Sequence, residues 1–445
     1  MDDNTEAQIA QWRGYVQRHQ AISGADVDEM ESHLRDQVGD LETSGLSGEE
    51  AFLVAVKRMG NVDAISREFA REHSDRLWKQ LVLPTASEDD GGQSNRDLGA
   101  ALVAAVGAGL AVKIGLAGFA DDRLGLNIGV LVLPFLAGYF AWKRQLGWRV
   151  VELVAVPFVL AACVLNFYPF DTDDATGLIA AIHAPIALWL VVGLAYVGGD
   201  WRSHRRRMDF VRFTGELAVY FALLAIGSGI LIGLTVGVFG ALDIEVEPFV
   251  EDWVLPCCVP GAFVVAAWLV EAKQSVIENI APVLTRVFTP LVIIVLAALF
   301  VGFVATGNFL DVERDLLIQM DLILVLVLGL LLYAISARDP LARAGLFDRM
   351  QLVLVAIALA VDMLMLAAML TRTAEFGFTA NKTVALGMNL VLAVNLVWSL
   401  WLGIGFVRGR RSFGDLERWQ THYLPVYGAW AAIVVVAIGP LFGFV

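Results

Sequence analysis

The chain has 445 residues, of which 58% are hydrophobic, and its formal net charge is −14 at pH 7. Its mean hydropathy is +0.66. This composition excludes an ordinary soluble enzyme and indicates a polytopic membrane protein. The acidic balance also argues against direct binding to nucleic acid, because such binding depends on cationic groups that neutralise phosphates.

The first 97 residues differ from the rest of the chain. They contain ten Lys and Arg but twenty Asp and Glu, so this segment carries −10 of the net −14. Its start, MDDNTEAQIAQW, has neither the basic end nor the apolar core of a signal peptide. We therefore expect a small cytosolic helical domain at 1–83, a polar linker at 84–97 and a membrane domain at 98–445.

Apolar residues three or four positions apart predict an amphipathic helix in this first domain. The stripe consists of Val27, Met30, Leu34, Val38 and Leu41. Ser47 and Glu50 have the spacing of a capping box and predict the start of the next helix. His33 has no second histidine or cysteine at ligand spacing, so we predict no metal site and no cofactor.

Three stretches of the first domain resemble the permease-prefix domain, a HAAS-like module found ahead of bacterial membrane proteins: EMESHLRDQVGDL, GLSGEEAFLVAVKRMGN and SREFAREHSDRLWKQLVL. The resemblance covers about residues 8–83. It implies a cytosolic adaptor or regulatory module, with a regulator of PadR type as a candidate partner, and it implies no chemistry.

Eleven apolar runs follow, each about as long as a helix needs to be to cross a bilayer. We predict spans near 98–120, 126–142, 150–168, 177–199, 213–240, 254–271, 289–306, 316–335, 350–371, 383–406 and 426–445. The predicted fold class is therefore all-α, with about eleven membrane spans after the prefix domain.

Basic residues orient these spans. With the N-terminus inside, the inner loops hold 17 Lys and Arg and the outer loops hold four, as the positive-inside rule requires. The pattern predicts a multi-pass protein of the bacterial cytoplasmic membrane, with the C-terminus outside. We also expect the acidic prefix to dock on the basic inner loops, chiefly around 201–212.

Sequence motifs for common chemistries are missing. There is no GxxxxGK[ST] phosphate loop, no CxxC pair and no GxSxG elbow. This favours a protein that is not an enzyme, and no catalytic residue is predicted. The nearest acid–base candidate is His422, in the stretch RWQTHYLP.

The stretch TRTAEFGFTANK lies between the ninth and tenth spans. It is similar to the R-x-x-[EQ]-[YF]-G-[LF]-T-x-[ND]-[RK] signature of an uncharacterised bacterial membrane family, and the match spans about 290–445. The matching residues, here called the signature loop, are Arg372, Glu375, Phe376, Gly377, Phe378, Thr379, Asn381 and Lys382. Gly377 permits a tight turn and Thr379 suits the cap of the next helix. A structural hairpin and a loop that also touches a ligand both remain open.

Polar side chains inside the spans predict a candidate site. Asp362 lies near the middle of its span, where a lone charge costs about 2.5–3.5 kcal/mol on insertion scales. We predict an outward-opening polar cavity lined by Asp362 and Asn389, with Lys113 or Asn395 as the partner of Asp362. His183 maps to the outer half of its span and completes this candidate site. The alternative is a buried hydrogen bond that holds two helices together.

These features together predict a permease-like or sensory membrane protein with a cytosolic adaptor domain. A non-transporting scaffold, or a membrane-embedded enzyme acting on a lipid-linked substrate, is the alternative. A transporter should have a polar cavity that reaches the membrane midplane, whereas a scaffold should satisfy its polar groups in contacts between helices.

Overall fold

The computed structural model describes residues 5–6, 9, 13, 24–43, 46–48, 51–52, 54–55, 91–119, 123–171, 174–272, 280–306, 314–340 and 342–445. All regular secondary structure in these residues is helical. The chain divides into two compact units, Met1–Gly92 and Gln93–Val445.

The first unit contains the helix α1 (Gly24–Thr43). Leu34 and Val38 are fully buried and Leu41 is nearly so, which confirms this part of the predicted stripe. These three residues form a small core with Ile9, Ala51 and Ala55. The side chains of Val27 and Met30, and Glu50 of the predicted capping box, lie outside the described residues.

An ion-pair network covers one side of α1. Arg35 donates to Glu31 at 3.0 Å and to Glu6 at 2.6 Å, and Glu31 also accepts a hydrogen bond from Arg13. Burial raises the pKa of Glu31, but the hydrogen bonds from the two arginines outweigh burial, so its pKa is lowered overall. Glu31 therefore contributes stability in its charged form.

The second unit contains eleven helices that are long and apolar enough to cross a membrane, and this number agrees with the predicted spans. They are α2 (Gly91–Gly118), α3 (Arg123–Lys143), α4 (Trp148–Phe167), α5 (Ala175–Tyr196), α6 (His204–Gly240), α7 (Glu247–Ala272), α8 (Ile280–Thr306), α9 (Arg314–Ser336), α10 (Leu346–Phe376), α11 (Ala380–Val407) and α12 (Phe413–Phe442).

All eleven of these helices begin earlier than predicted, and α8 begins at Ile280 instead of near residue 289. α6 and α12 begin about two to four turns before their predicted spans, because their charged first turns are capped. The Arg206 N–H donates to the Ser203 hydroxyl at 3.4 Å, and the Ser412 N–H donates to the Asp415 carboxylate at 3.2 Å. α2 begins at Gly91, within the stretch predicted as a linker. Loops between spans are therefore shorter than the hydropathy pattern predicts.

The membrane helices form two packed groups. α3 to α7 pack around an aromatic cluster that includes Phe140 of α3 and Phe213 of α6, and α8 to α11 pack around Leu324, Leu354 and Leu396. α12 contacts both α5 and α11, so it joins the two groups. The candidate functional site lies in the second group.

Candidate functional site

A tight turn between α10 and α11 positions the candidate site. Gly377 ends α10 with a φ of 76°, a conformation that favours glycine. Thr379 caps α11 by accepting the Lys382 N–H at 3.4 Å. The Lys382 ammonium donates to the carbonyls of Gly377 at 3.2 Å and Arg372 at 3.4 Å, as suits a cation at a helix C-terminus. The turn is therefore braced by its own residues.

The remaining signature-loop residues surround this turn. Arg372 and Glu375 lie near the end of α10, Asn381 lies in the first turn of α11, and Phe378 is exposed. The side chain of Phe376 lies outside the described residues. The described contacts are structural ones, and a ligand contact by this loop stays a prediction.

Below the turn, Asn389 of α11 meets a carboxylate from α9. Its amide nitrogen donates to Asp321 Oδ1 at 3.0 Å and lies 3.6 Å from the sulfur of Met369 on α10. Asn389 is fully buried and Asp321 is half-buried. This contact joins three helices at one level, about 14 Å along α11 from its start at 1.5 Å per residue.

Asp362 lies deeper in the same group of helices. It is fully buried, and it follows the start of α10 by about 24 Å and precedes the end by about 21 Å. Neither of its carboxyl oxygens has a hydrogen-bond partner among the described residues. Asn389 Oδ1 is likewise buried and unpartnered among them. We name Asp321, Asp362 and Asn389 the buried acidic site.

The two carboxyl groups of this site influence each other. Asp321 and Asp362 interact electrostatically, and both are surrounded by the apolar side chains of the second helix group. Two like charges in apolar surroundings repel strongly, because no water screens them. Protonation of one carboxyl group removes this repulsion, and the oxygen atoms of the pair are the kind of ligands that hard cations prefer.

The helices packed against α10 contribute few other charges. They are α8, α9 and α11. Their described side chains include Asp321, while Arg286 and Tyr333 lie near the opposite end of the group and Lys382 lies in the first turn of α11. Among the described residues, the charged group that interacts electrostatically with Asp362 is the carboxyl group of Asp321.

The structure corrects the predicted partners of Asp362. Lys113 donates to the backbone carbonyl of Asp252 and lies 4.5 Å from the ring centroid of Trp253. Its long side chain reaches the π-helical first part of α7, so Lys113 does not contact Asp362 although the two residues lie at similar depth in the membrane. The described hydrogen bond of His183 is to the Ile179 carbonyl of its own helix, at 2.9 Å, and it does not connect His183 to Asp362.

Asn395 also faces away from Asp362. It donates to Gln420 Oε1 at 3.1 Å and accepts from the Trp419 indole at 2.7 Å. Gln420 in turn donates to the Ser399 hydroxyl at 2.6 Å. Asn395, Ser399 and Gln420 are all buried. This network joins α11 to α12 and satisfies its members, in contrast to Asp362.

A cavity of about 550 Å³ enters the second helix group from the end opposite to the α10–α11 turn. Its lining includes Ser399, Gln351 and the Arg338–Asp348 ion pair, whose shortest contact is 2.7 Å. Gln351 donates to Thr289 at 2.9 Å. The cavity thus extends to the polar network between α11 and α12.

Sequence reasoning missed Asp321. This residue lies in the apolar run QMDLILVLVLG. The argument that identified Asp362, the cost of a charged side chain inside a membrane span, applies equally to Asp321. Its contact with Asn389 joins residues 68 positions apart. Among the described residues, no group of three or more His, Cys, Asp and Glu side chains could hold a metal ion.

Comparison of this chain with models of protein families, with curated proteins and with solved structures found no match.

Proposed function

We propose that this chain is a permease-like membrane protein in which Asp362 binds and releases a proton. The supporting observation is the carboxyl group of Asp362, which is fully buried near the middle of α10 without a hydrogen-bond partner among the described residues. A charged group in this position is costly, and such groups commonly mark proton or ion pathways in membrane proteins.

A scaffold role explains other polar residues better than it explains Asp362. The network of Asn395, Ser399 and Gln420 satisfies its polar atoms across two helices, as expected of groups that hold helices together. Asp362 makes no such contact among the described residues. The buried position of Asp362 is therefore better explained by binding of a proton or ion than by helix packing.

Asp321 supplies the path by which a proton reaches Asp362. It is half-buried, and the predicted topology places it in the outer half of its span. The Asn389 amide donates to one carboxyl oxygen of Asp321 at 3.0 Å, and the carboxyl group of Asp321 interacts electrostatically with that of Asp362. Because Asp362 forms no described hydrogen bond to Asp321, we propose that a proton that enters at Asp321 passes to Asp362 through a bridging water molecule, which leaves Asp321 charged and Asp362 neutral.

The cavity at the other end of the helix group is where a small solute would bind. On the predicted topology it faces the cytosol, and its lining mixes apolar residues with Gln351, Ser399 and an ion pair. A polar cavity on one side and a protonatable group at mid-depth are the parts that proton-coupled transport needs. The cytosolic prefix, a compact unit of its own, would act as adaptor or sensor, with a regulator of PadR type as its proposed partner.

Carbodiimide labelling tests the protonatable carboxyl group. Dicyclohexylcarbodiimide is apolar and reacts with protonated carboxyl groups in apolar surroundings. We expect the purified full-length protein to be modified at Asp362, with labelling that falls as pH rises and disappears in Asp362→Asn. Glu375→Gln, which removes an exposed carboxyl group from the same helix, is the matched control and should leave labelling unchanged. Equal labelling of wild type and Asp362→Asn would contradict the proposal.

Proton movement separates a permease from a sensor. Proteoliposomes containing a pH-sensitive dye would be exposed to mixtures of amino acids, sugars and organic acids. A permease should show an internal pH change with at least one mixture, and Asp362→Asn should abolish it. A protein that labels at Asp362 but moves no protons with any mixture would be a sensor.

A further inference from the structure

A second polar cavity, of about 560 Å³, lies in the first helix group. It is formed where α3 and α5 end and α6 begins, on the predicted cytosolic side. Its charged lining residues are Arg144, Arg206, Arg212, Asp209 and Glu216, so cations outnumber acids by one. Neither the buried acidic site nor the solute cavity uses any of these residues.

Each of the three arginines is held by a contact that occupies only part of its guanidinium group. Arg144 uses one terminal nitrogen to contact both oxygens of Glu271 at 3.1 Å. Arg206 donates from one terminal nitrogen to the Val197 carbonyl at 2.9 Å. Arg212 donates from Nε at 3.0 Å and from one terminal nitrogen to the Ser336 carbonyl, and its other terminal nitrogen makes no described contact. The guanidinium groups are thus fixed in position and retain free donors among the described residues.

Acidic residues near the cavity pair with two of its three arginines, and one of these acids is Asp200, whose Oδ2 lies 3.8 Å from Arg206 Nε. Glu271 is shared between Arg144 and Lys143, which lies 3.0 Å away. Asp209 interacts electrostatically with Arg212, but it forms no ion pair with a lining arginine among the described residues. Its carboxylate lines the same cavity as the three guanidinium groups.

We propose that this cavity binds a phosphate group, carried either by a lipid headgroup or by a free anion. Fixed guanidinium groups with free N–H donors bind phosphate through paired, charge-assisted hydrogen bonds. Basic pockets between membrane helices at the cytosolic surface are suited to lipid headgroups for the same reason. The competing occupant is the acidic prefix, whose carboxylates would meet the same arginines.

Binding to the purified full-length protein tests this site with three probes: inorganic phosphate, dioctanoyl phosphatidylglycerol, and dioctanoylglycerol, which has the same chains but no phosphate. We expect phosphatidylglycerol to bind and dioctanoylglycerol not to bind. Saturable binding of inorganic phosphate as well identifies a free anion as sufficient, whereas binding of phosphatidylglycerol alone identifies a lipid headgroup.

Variants that remove a positive charge from the cavity and variants that remove a negative charge should have opposite effects on lipid binding. Arg212→Gln should weaken binding of phosphatidylglycerol at least tenfold, and Arg206→Gln, at an exposed position, serves if Arg212→Gln is unstable. Asp209→Asn should tighten binding, because it removes a repelling carboxylate from the cavity. Arg149→Gln, an exposed arginine at the start of α4 on the same predicted face, should change binding less than twofold.

Three results would overturn the proposal: equal binding of the lipid with and without phosphate, unchanged affinity in both arginine variants, or weaker binding in Asp209→Asn. Crosslinks between prefix carboxylates and the cavity arginines that persist at saturating phosphatidylglycerol would likewise overturn it, because the prefix would then be the occupant.

Discussion

Replacing Asp362 by Asn should not destabilise the protein, although the residue is fully buried. Asn has nearly the same shape as Asp and carries no charge. Because neither carboxyl oxygen has a partner among the described residues, the substitution removes no described hydrogen bond. It removes only the cost of keeping an acid in apolar surroundings.

The size of the effect follows from this cost. A charged Asp at the centre of a membrane helix costs about 2.5–3.5 kcal/mol on insertion scales. Protonation of Asp362 offsets part of this cost, so we expect Asp362→Asn to raise the free energy of unfolding by about 0–3 kcal/mol at pH 8. Gln420→Leu is the contrast: it removes two hydrogen bonds between α11 and α12, each worth about 0.6–1.7 kcal/mol, and should lower stability by about 1–3 kcal/mol.

Unfolding in mixed lipid and dodecyl sulfate micelles, followed by tryptophan fluorescence, measures these differences. Gln319→Leu, at an exposed position of α9, is the matched control for Gln420→Leu and should change stability by less than about 0.5 kcal/mol. A loss of more than about 1 kcal/mol in Asp362→Asn would refute the reasoning, because Asp362 would then be a structural contact and the scaffold interpretation would be preferred.

Three further predictions concern packing and the prefix. A Cβ at Gly387 would lie 2.0 Å from the Trp430 ring, so Gly387→Ala should destabilise the protein at the α11–α12 contact by about 1–3 kcal/mol. A Cβ at Gly329 would lie in open space, so the control Gly329→Ala should not destabilise the protein, and thermal unfolding compares the two variants. The lowered pKa of Glu31 means that its stabilisation is present above the ordinary glutamate pKa and is lost as pH falls below about 4, so Glu31→Gln should weaken the acid sensitivity of the prefix in a pH titration of stability. Residues 1–85 alone should give a helical circular dichroism spectrum with a cooperative melt, and a coil spectrum would show that the prefix needs the membrane unit.

The sequence was sufficient to predict the membrane helices because each is specified by its own composition. Length and apolar content located all eleven, and Thr379 was recognisable as a helix cap. Helix starts were less accurate, since capping by Ser203 and Ser412 extends α6 and α12 into charged segments that hydropathy alone assigns to loops.

The candidate site was only half predictable. Asp362 and Asn389 were identified as polar groups in apolar runs, a local property. The role of Asp321 depends on how α9 packs against α11, and the contact of Lys113 depends on how α2 packs against the first turns of α7. The depth of two residues in the membrane restricts whether they can make contact. Whether they do make contact depends on the helix face on which each lies, and helix packing determines how those faces are oriented.

Infrared difference spectroscopy between low and high pH tests most directly whether Asp362 binds and releases a proton. The full-length protein in lipid should show a carbonyl band of a protonated carboxyl group in apolar surroundings that disappears at high pH. We predict this band in wild type and in Asp321→Asn, and its loss in Asp362→Asn. Identical difference spectra for wild type and Asp362→Asn would contradict the account.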